Sequence, residues 1–264
     1  MWHAELVEAR KVTEGHILEA VMPLRWRQEE LRRRYYPPEF PGVYARLRAL
    51  IDEHVAAGAL VLDAGCGPGR VFGYTTRRQP RFIVGLDRDA SVRENRNIGR
   101  PLRGDLEALP FRDASFDVVL LAHVLEHVAR PEAVFREVAR VLKPGGRLLA
   151  LTPNRWHYVA LLARLLPHRL HVAVNRGRGL RDDDVFPTLY RANTAGRMRE
   201  LVAKAGLELE RLDLFETEPE YLAFHRLAYA VGVGYERLVN RFDALAPLRV
   251  NIMVVARKPG PSTA

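Results

Sequence analysis

Val61-Leu62-Asp63-Ala64-Gly65-Cys66-Gly67-Pro68-Gly69 is the stretch on which the reading of the whole chain turns. Its apolar start reads as a strand, and three glycines then stand at alternate positions. Residues without a Cβ let the backbone turn sharply at the carboxyl end of a strand and approach a ligand with no side chain in the way. Such a turn marks the nucleotide crevice of an open α/β sheet. The dinucleotide fingerprint GxGxxG is met by Gly65 and Gly67, but the third glycine falls at 69 and Arg70 holds the place it should occupy. Asp63 adds to the mismatch, because a carboxylate repels a pyrophosphate but attracts an amino group or a sulfonium.

Outward from this loop, short apolar strands alternate with amphipathic helices, the pattern of right-handed βαβ units. The expected strands are Leu60 to Ala64, Phe82 to Asp87, Leu102 to Asp105, Asp117 to Ala122 and Arg147 to Thr152. The helix before the fifth begins at Pro131, carries Val134, Val138, Val141 and Leu142 on one face, and stops at Lys143-Pro144-Gly145-Gly146. Leu207 to Phe215 and Val250 to Ala256 read as two more strands, after a helix from Thr194 to Ala205 closed by Gly206.

The flanks read differently. Residues 1–58 form an N-terminal helical cap, with Ile17, Leu18, Val21, Met22 and Leu24 near helical spacing, a charged run from Arg25 to Arg34, a break at Pro37-Pro38, and a second helix from Val43 to Ala57. The core domain runs from 59 to 258, with insertions at about 155–190 and 217–247, and 259–264 is a tail. The second insertion is apolar and helical, with Tyr221, Phe224, Leu227, Val231, Leu238 and Phe242 among its residues. Packing against the body or a twin subunit is its simplest role; a substrate wall or a peripheral membrane contact is the alternative.

Composition narrows the partners. The chain has 264 residues, 48% apolar, and no uninterrupted apolar run near the length of about 18 that a membrane span needs. The start Met1-Trp2-His3-Ala4-Glu5 lacks a signal-peptide pattern, so a cytoplasmic location is expected. With Cys66 as the single cysteine, neither an internal disulfide nor a thiolate metal cluster can form. The net charge of +9 would suit an anionic partner, yet the aromatic-interleaved signatures of RNA readers are absent, and nucleic acid is not the expected substrate.

Asp63 with Gly65, Gly67 and Gly69 resembles the DxGxGxG loop of class I S-adenosylmethionine-dependent methyltransferases. Val84-Gly85-Leu86-Asp87 is similar to that family's second strand, and Gly104-Asp105-Leu106-Glu107-Ala108-Leu109-Pro110-Phe111 to its adenine segment. Phe116-Asp117-Val118-Val119 and Leu142-Lys143-Pro144-Gly145-Gly146-Arg147-Leu148 continue the match in order. The resemblance covers Ala59 to Asn154 well and Leu189 to Lys258 loosely, and lies nearest the branch acting on quinones, lipids, sugars and natural products. It implies a doubly wound, Rossmann-like, seven-stranded α/β sheet whose last strand is antiparallel. It also implies a methyl-transfer enzyme using S-adenosyl-L-methionine, with S-adenosyl-L-homocysteine as product and a small-molecule acceptor.

Carried over residue by residue, the resemblance puts the amino-acid end of the cofactor on Asp63, Gly65, Cys66, Gly67 and Gly69. It puts the ribose on Asp87 beside Arg88, the adenine on Asp105 and Leu106, and the methyl near Ala122 and His123. Tyr35, Tyr36, Asn154, His157, Tyr190 and Arg191 are the candidates for the acceptor side. His123-Val124-Leu125-Glu126-His127 also fits the HxxEH zinc motif, but that motif needs a helix from its first histidine and a third ligand. Here His123 closes a strand, so no metal is expected; His127 is either a structural histidine at a helix start or a general base. A non-catalytic cofactor-binding module and an NAD-dependent oxidoreductase are the other functional classes.

Overall fold

Seven strands form one sheet in the order β3-β2-β1-β4-β5-β7-β6 in the computed structural model, which describes residues 29–69, 82–165 and 187–260. Strands β1 (Leu60–Ala64), β2 (Phe82–Asp87), β3 (Arg100–Arg103), β4 (Phe116–Ala122) and β5 (Leu142–Pro153) are parallel to their neighbours in that series. The last strand, β7 (Asn251–Arg257), runs antiparallel between β5 and β6 (Glu208–Phe215), as expected. From β1 the order proceeds outward through β2 and β3, while β4 and β5 lie on the other side. The topological switch point therefore falls between the carboxyl ends of β1 and β4.

Period-two alternation sorts the strand residues onto two faces. Leu62, Ala64, Val119, Leu121, Leu148, Ala150 and Val254 pack on one face, under α2 (Pro131–Val141) and α4 (Ala195–Lys204), with α3 (Tyr158–Leu165) between these two in the chain. Val61, Val118, Leu120, Leu149, Leu151, Met253 and Val255 pack on the other, against α1 (Val43–His54). Both faces being covered, the central strands read as nearly continuous apolar runs. Helix α2 starts on Pro131, whose missing N–H costs nothing at that position, and buries Val134, Phe135, Val138 and Val141. Helix α4 is capped by Thr194, whose Oγ1 accepts from Arg197 N at 3.1 Å, and ends before Gly206 at φ +71°.

Four boundaries depart from the expected ones. β3 lies at Arg100–Arg103 rather than 102–105, and α1 ends at His54 rather than Ala57. The link from β2 to β3 holds a 3-10 turn, Ala90–Glu94, in place of an amphipathic helix. β5 begins at Leu142, directly after α2, so Lys143-Pro144-Gly145-Gly146 opens a strand instead of ending a helix in a loop. Pairing explains this last case: Gly145 N donates to Lys258 O at 2.8 Å and Lys258 N to Gly146 O at 2.9 Å. A Cβ on Gly146 would lie 2.9 Å from Asp117 O, and the register with β4 shifts between Phe116 and Val118.

The described part of the cap, helical over 29–35, meets the second insertion. There Leu31, Tyr36, Ala223, Tyr229 and Val233 form a third buried cluster beneath α5 (Arg226–Arg241). The opposite face of α5 stays open, with Leu227 68% and Val231 66% exposed. The expected helix around Ile17 to Leu24 and most of the first insertion, including 166–186, lie outside the described residues, as does Arg70. Among the described residues, no helix is long and apolar enough to cross a membrane.

Candidate active site

The glycine loop is formed by backbone conformation that only its residue types tolerate. Gly65, Gly67 and Gly69 have φ of +84°, +51° and +71°. A Cβ on Gly65 would sit 2.4 Å from Val124 Cγ2, which brings the loop after β1 against the segment after β4 across the switch point. At Gly67 nothing among the described residues lies within 4 Å of the added carbon. The loop is tied to the second strand: Gly65 N donates to Leu86 O at 2.6 Å, and Gly67 N to Asp87 Oδ2 at 2.8 Å. Asp63, the penultimate residue of β1, is 5% exposed, and its charge reaches Cys66 in the loop.

Two residues that the sequence reading did not single out complete the cradle. Asn95 Nδ2 donates to Cys66 O at 3.3 Å and Gly67 O at 3.2 Å, and Asn97 Nδ2 donates to Gly69 O at 3.0 Å. No periodicity marks Arg93-Glu94-Asn95-Arg96-Asn97; the only available signal is a pair of amides shortly after an acidic strand end. Cys66 fills space over Gly85, where a Cβ would lie 2.7 Å from Cys66 Sγ, and burial pushes its thiol well above the ordinary range. It is a small packing residue in the loop, with no thiolate character.

Asp87 ends β2 with both oxygens engaged by backbone, Oδ2 with Gly67 and Oδ1 with Asp89 N at 2.9 Å. Each oxygen keeps a lone pair for a ligand. Asp105 accepts from Glu107 N at 3.0 Å and from Arg88 at 2.8 Å; the backbone bond and the guanidinium hold its carboxyl below the usual range. Leu106 is half-buried against the core. Asp87 thus bonds the loop directly, and Asp105, two residues beyond β3, is tied through Arg88 to the end of β2.

The segment carrying Asp105 is anchored from α2. Leu109 N donates to Glu137 Oε2 at 2.7 Å, while Arg140 bonds both Glu137 oxygens, Leu109 O and Phe111 O at 2.7–2.9 Å. Contact with Arg140 holds Glu137 below the usual carboxylate range. A depressed folded pKa means stability that is complete above the ordinary Glu value of 4.5 and lost as pH falls through the folded value. Glu137→Gln should therefore lower stability at pH 7 by about 1 kcal/mol and flatten the acid limb of a thermal-melting series from pH 7 to 3. Parallel acid limbs for the two proteins would refute this.

Residues 123–127 form bends and turns, so the two histidines of HxxEH do not share a helical turn. His123 has φ +56°, donates its N–H to Leu151 O at 2.8 Å, and follows Ala122 at the carboxyl end of β4. Its Nδ1 lies 3.6 Å from Glu126 Oε1. His127 Nδ1 is 2.9 Å from Pro187 O, so that nitrogen carries its proton.

The acceptor-side candidates divide. Asn154 is 1% exposed and commits both amide hydrogens to Pro247 O and Arg249 O, at 2.7 and 2.9 Å. His157 is 2% exposed and lies 3.2 Å from Glu216 Oε2. Both pin the chain after β5 to the segments around β6 and β7, and they act as structural groups. Tyr36 is 5% exposed, with its hydroxyl 3.4 Å from Glu236 Oε2, and burial pushes its pKa up. It joins the cap to α5, beside Tyr35, whose ring is 5.8 Å from Tyr229. Tyr190, at φ +52°, donates its N–H to Glu126 O, and exposed Arg191 donates to Ala129 O at 2.7 Å, which places these two next to the β4 turn.

Comparison with known proteins agrees with this geometry. The family described as "Methyltransferase domain" matches residues 62–150, from β1 through most of β5. A Mycolicibacterium smegmatis protein named as a probable S-adenosylmethionine-dependent methyltransferase is 34% identical over 64% of this chain and 57% of its own. A ubiquinone biosynthesis O-methyltransferase from Maricaulis maris is 29% identical over 80% of this chain and 76% of its own. The chain spans about half the length of several curated relatives it matches. The crystal structure of the [4+2]-cyclase SpnF superposes with a TM-score of 0.50 at 20% identity, covering 81% of each chain, and shares the fold. Over residues 62–150 the chain matches the methyltransferase-domain family, and with the glycine loop and the reversed last strand it is similar to proteins named as S-adenosylmethionine-dependent methyltransferases.

Proposed function

We propose that this protein transfers a methyl group from S-adenosylmethionine to a small-molecule acceptor. The observation that carries the reading is the loop itself: three left-handed glycines, with no described residue over Gly67, following Asp63 and tied to Asp87. A carboxylate just before the turn suits a cationic amino-acid end, and one at the tip of β2 suits two ribose hydroxyls. Asp63 and the Gly65 to Gly69 backbone would hold the amino-acid end, Asp87 and Arg88 the ribose side, and Asp105 with Leu106 the adenine. Ala122 and His123 would border the methyl. The cofactor supplies an activated methyl on a sulfonium; the protein's part is to align the acceptor behind it and exclude water.

Relatives named for quinone and sterol methylation support a small acceptor. Tyr190, Arg191 and His127, grouped beside the β4 turn, are the acceptor-side residues on this reading. The fold alone does not choose the reaction, since the neighbour SpnF is named a cyclase. Calorimetry decides between the classes: S-adenosylhomocysteine should saturate the protein while NAD produces no heat. Labelled methyl from S-adenosylmethionine should then enter the small-molecule fraction of a cell extract. Binding without transfer would favour a non-catalytic module, and saturation by NAD would end the proposal.

A further inference from the structure

His123 sits where a reacting group would have to be, and the structure surrounds it with a device that the binding of a cofactor does not require. It is the first residue beyond β4, at the switch point, in a left-handed conformation that a non-glycine residue adopts at a cost. Behind it stands Glu126, 5% exposed, whose carbonyl is fixed by Leu189 N and Tyr190 N at 2.6 and 3.1 Å. Glu126 Oε2 accepts from Thr152 Oγ1 at 3.0 Å, and Thr152 Oγ1 accepts from Asn193 Nδ2 at 2.6 Å, both partners having no exposed surface. The chain of donors runs one way, Asn193 to Thr152 to Glu126, and converges on the carboxylate. Its other oxygen is left for His123 Nδ1 at 3.6 Å. Burial acts to raise the Glu126 pKa, but the neighbouring His123, the charge of His127 and a backbone hydrogen bond bring it below the usual carboxylate value.

The second ring nitrogen, His123 Nε2, is buried and has no hydrogen-bond partner among the described residues. A buried polar atom without a partner is destabilising, so its retention asks for a ligand group. We propose that His123 Nε2 receives the proton of the methyl acceptor, and that Glu126 is the positioning residue that fixes the ring for it. This rests on the methyl-transfer reading above. The acceptor's O–H breaks toward Nε2 as an oxygen lone pair forms the bond to the methyl carbon, and the C–S bonding pair stays on sulfur. The positive charge thus passes from the sulfonium to the imidazolium, beside the Glu126 carboxylate. His127 directs its Nδ1 to the neutral carbonyl of Pro187 instead.

Three measurements on the full chain test the assignment. Long-range 15N NMR should find neutral His123 protonated at Nδ1, and Glu126→Gln should shift the ring toward the other tautomer. His123→Asn keeps a side chain that tolerates left-handed backbone. It should bind S-adenosylhomocysteine within about threefold of the parent yet transfer labelled methyl into extract at least 100-fold more slowly, the range for a lost general base. Thr152→Val removes one donor to the carboxylate and should slow transfer without weakening S-adenosylhomocysteine binding. A proton found at Nε2 in the parent, or parental transfer by His123→Asn, overturns the inference and leaves methyl transfer standing. A parent that neither binds S-adenosylhomocysteine nor transfers methyl overturns both.

Discussion

Asp87→Ala is expected to weaken S-adenosylhomocysteine binding at least 100-fold, about 3 kcal/mol, while the protein stays folded. Two losses combine. The ribose loses a paired ionic acceptor, and hydrogen bonds to charged groups contribute about 1.5–3 kcal/mol. The loop loses its tether as well, because Asp87 Oδ2 holds Gly67 N and Oδ1 holds Asp89 N. Neither loss removes core volume, so the thermal midpoint should fall by only about 5 °C in a chain of this size. Asp87→Asn, which keeps one acceptor oxygen, should lie between the two proteins in affinity. Titration calorimetry with circular-dichroism melting separates the effects. Parental affinity in Asp87→Ala would show that the ribose lies elsewhere.

Gly65→Ala should damage both the fold and the binding, through two causes that a second substitution can pull apart. At φ +84° any L side chain pays roughly 1–2 kcal/mol. The new carbon would also lie 2.4 and 2.8 Å from the two Val124 methyls, an overpacking of roughly 1–3 kcal/mol. We expect a loss of about 3 kcal/mol in denaturant unfolding and no measurable S-adenosylhomocysteine binding. Adding Val124→Ala should recover the steric part, about half of the stability, and leave the backbone part. Such coupling is the mark of direct contact. Simple additivity of the two substitutions would mean that the loop and the β4 turn do not meet as described.

Much of this site was legible before any coordinates. Alternate glycines after an apolar run, then acidic residues at the ends of two later strands, announce a crevice because each depends on local chemistry: φ sign, strand period and charge. The same local reasoning placed Pro131 and Thr194 at helix starts. It failed at Lys143 to Gly146, where turn-forming residues lie in β5 because pairing with β7 and the close approach of Asp117 O require residues without a Cβ. It also read Asn154 and His157 as acceptor-side candidates, and could not see that the fold buries both. Their partners, Arg249 and Glu216, lie far along the chain and convert them into interior fasteners. Asn95 and Asn97 were missed for the converse reason, since only the folded loop brings their amides to the carbonyls of Cys66, Gly67 and Gly69.

What the amino-acid order alone determined was the sheet rhythm, the glycine loop and the acidic residues that border it, because periodicity and backbone freedom are properties of neighbouring residues. What only the tertiary structure decided was which polar side chains are held in the interior and which one keeps an unpartnered nitrogen at the end of β4. The Glu126 carboxylate accepts from Thr152, which in turn accepts from Asn193, and faces His123 Nδ1 at 3.6 Å; nothing short of the folded chain brings positions 152 and 193 to that carboxylate.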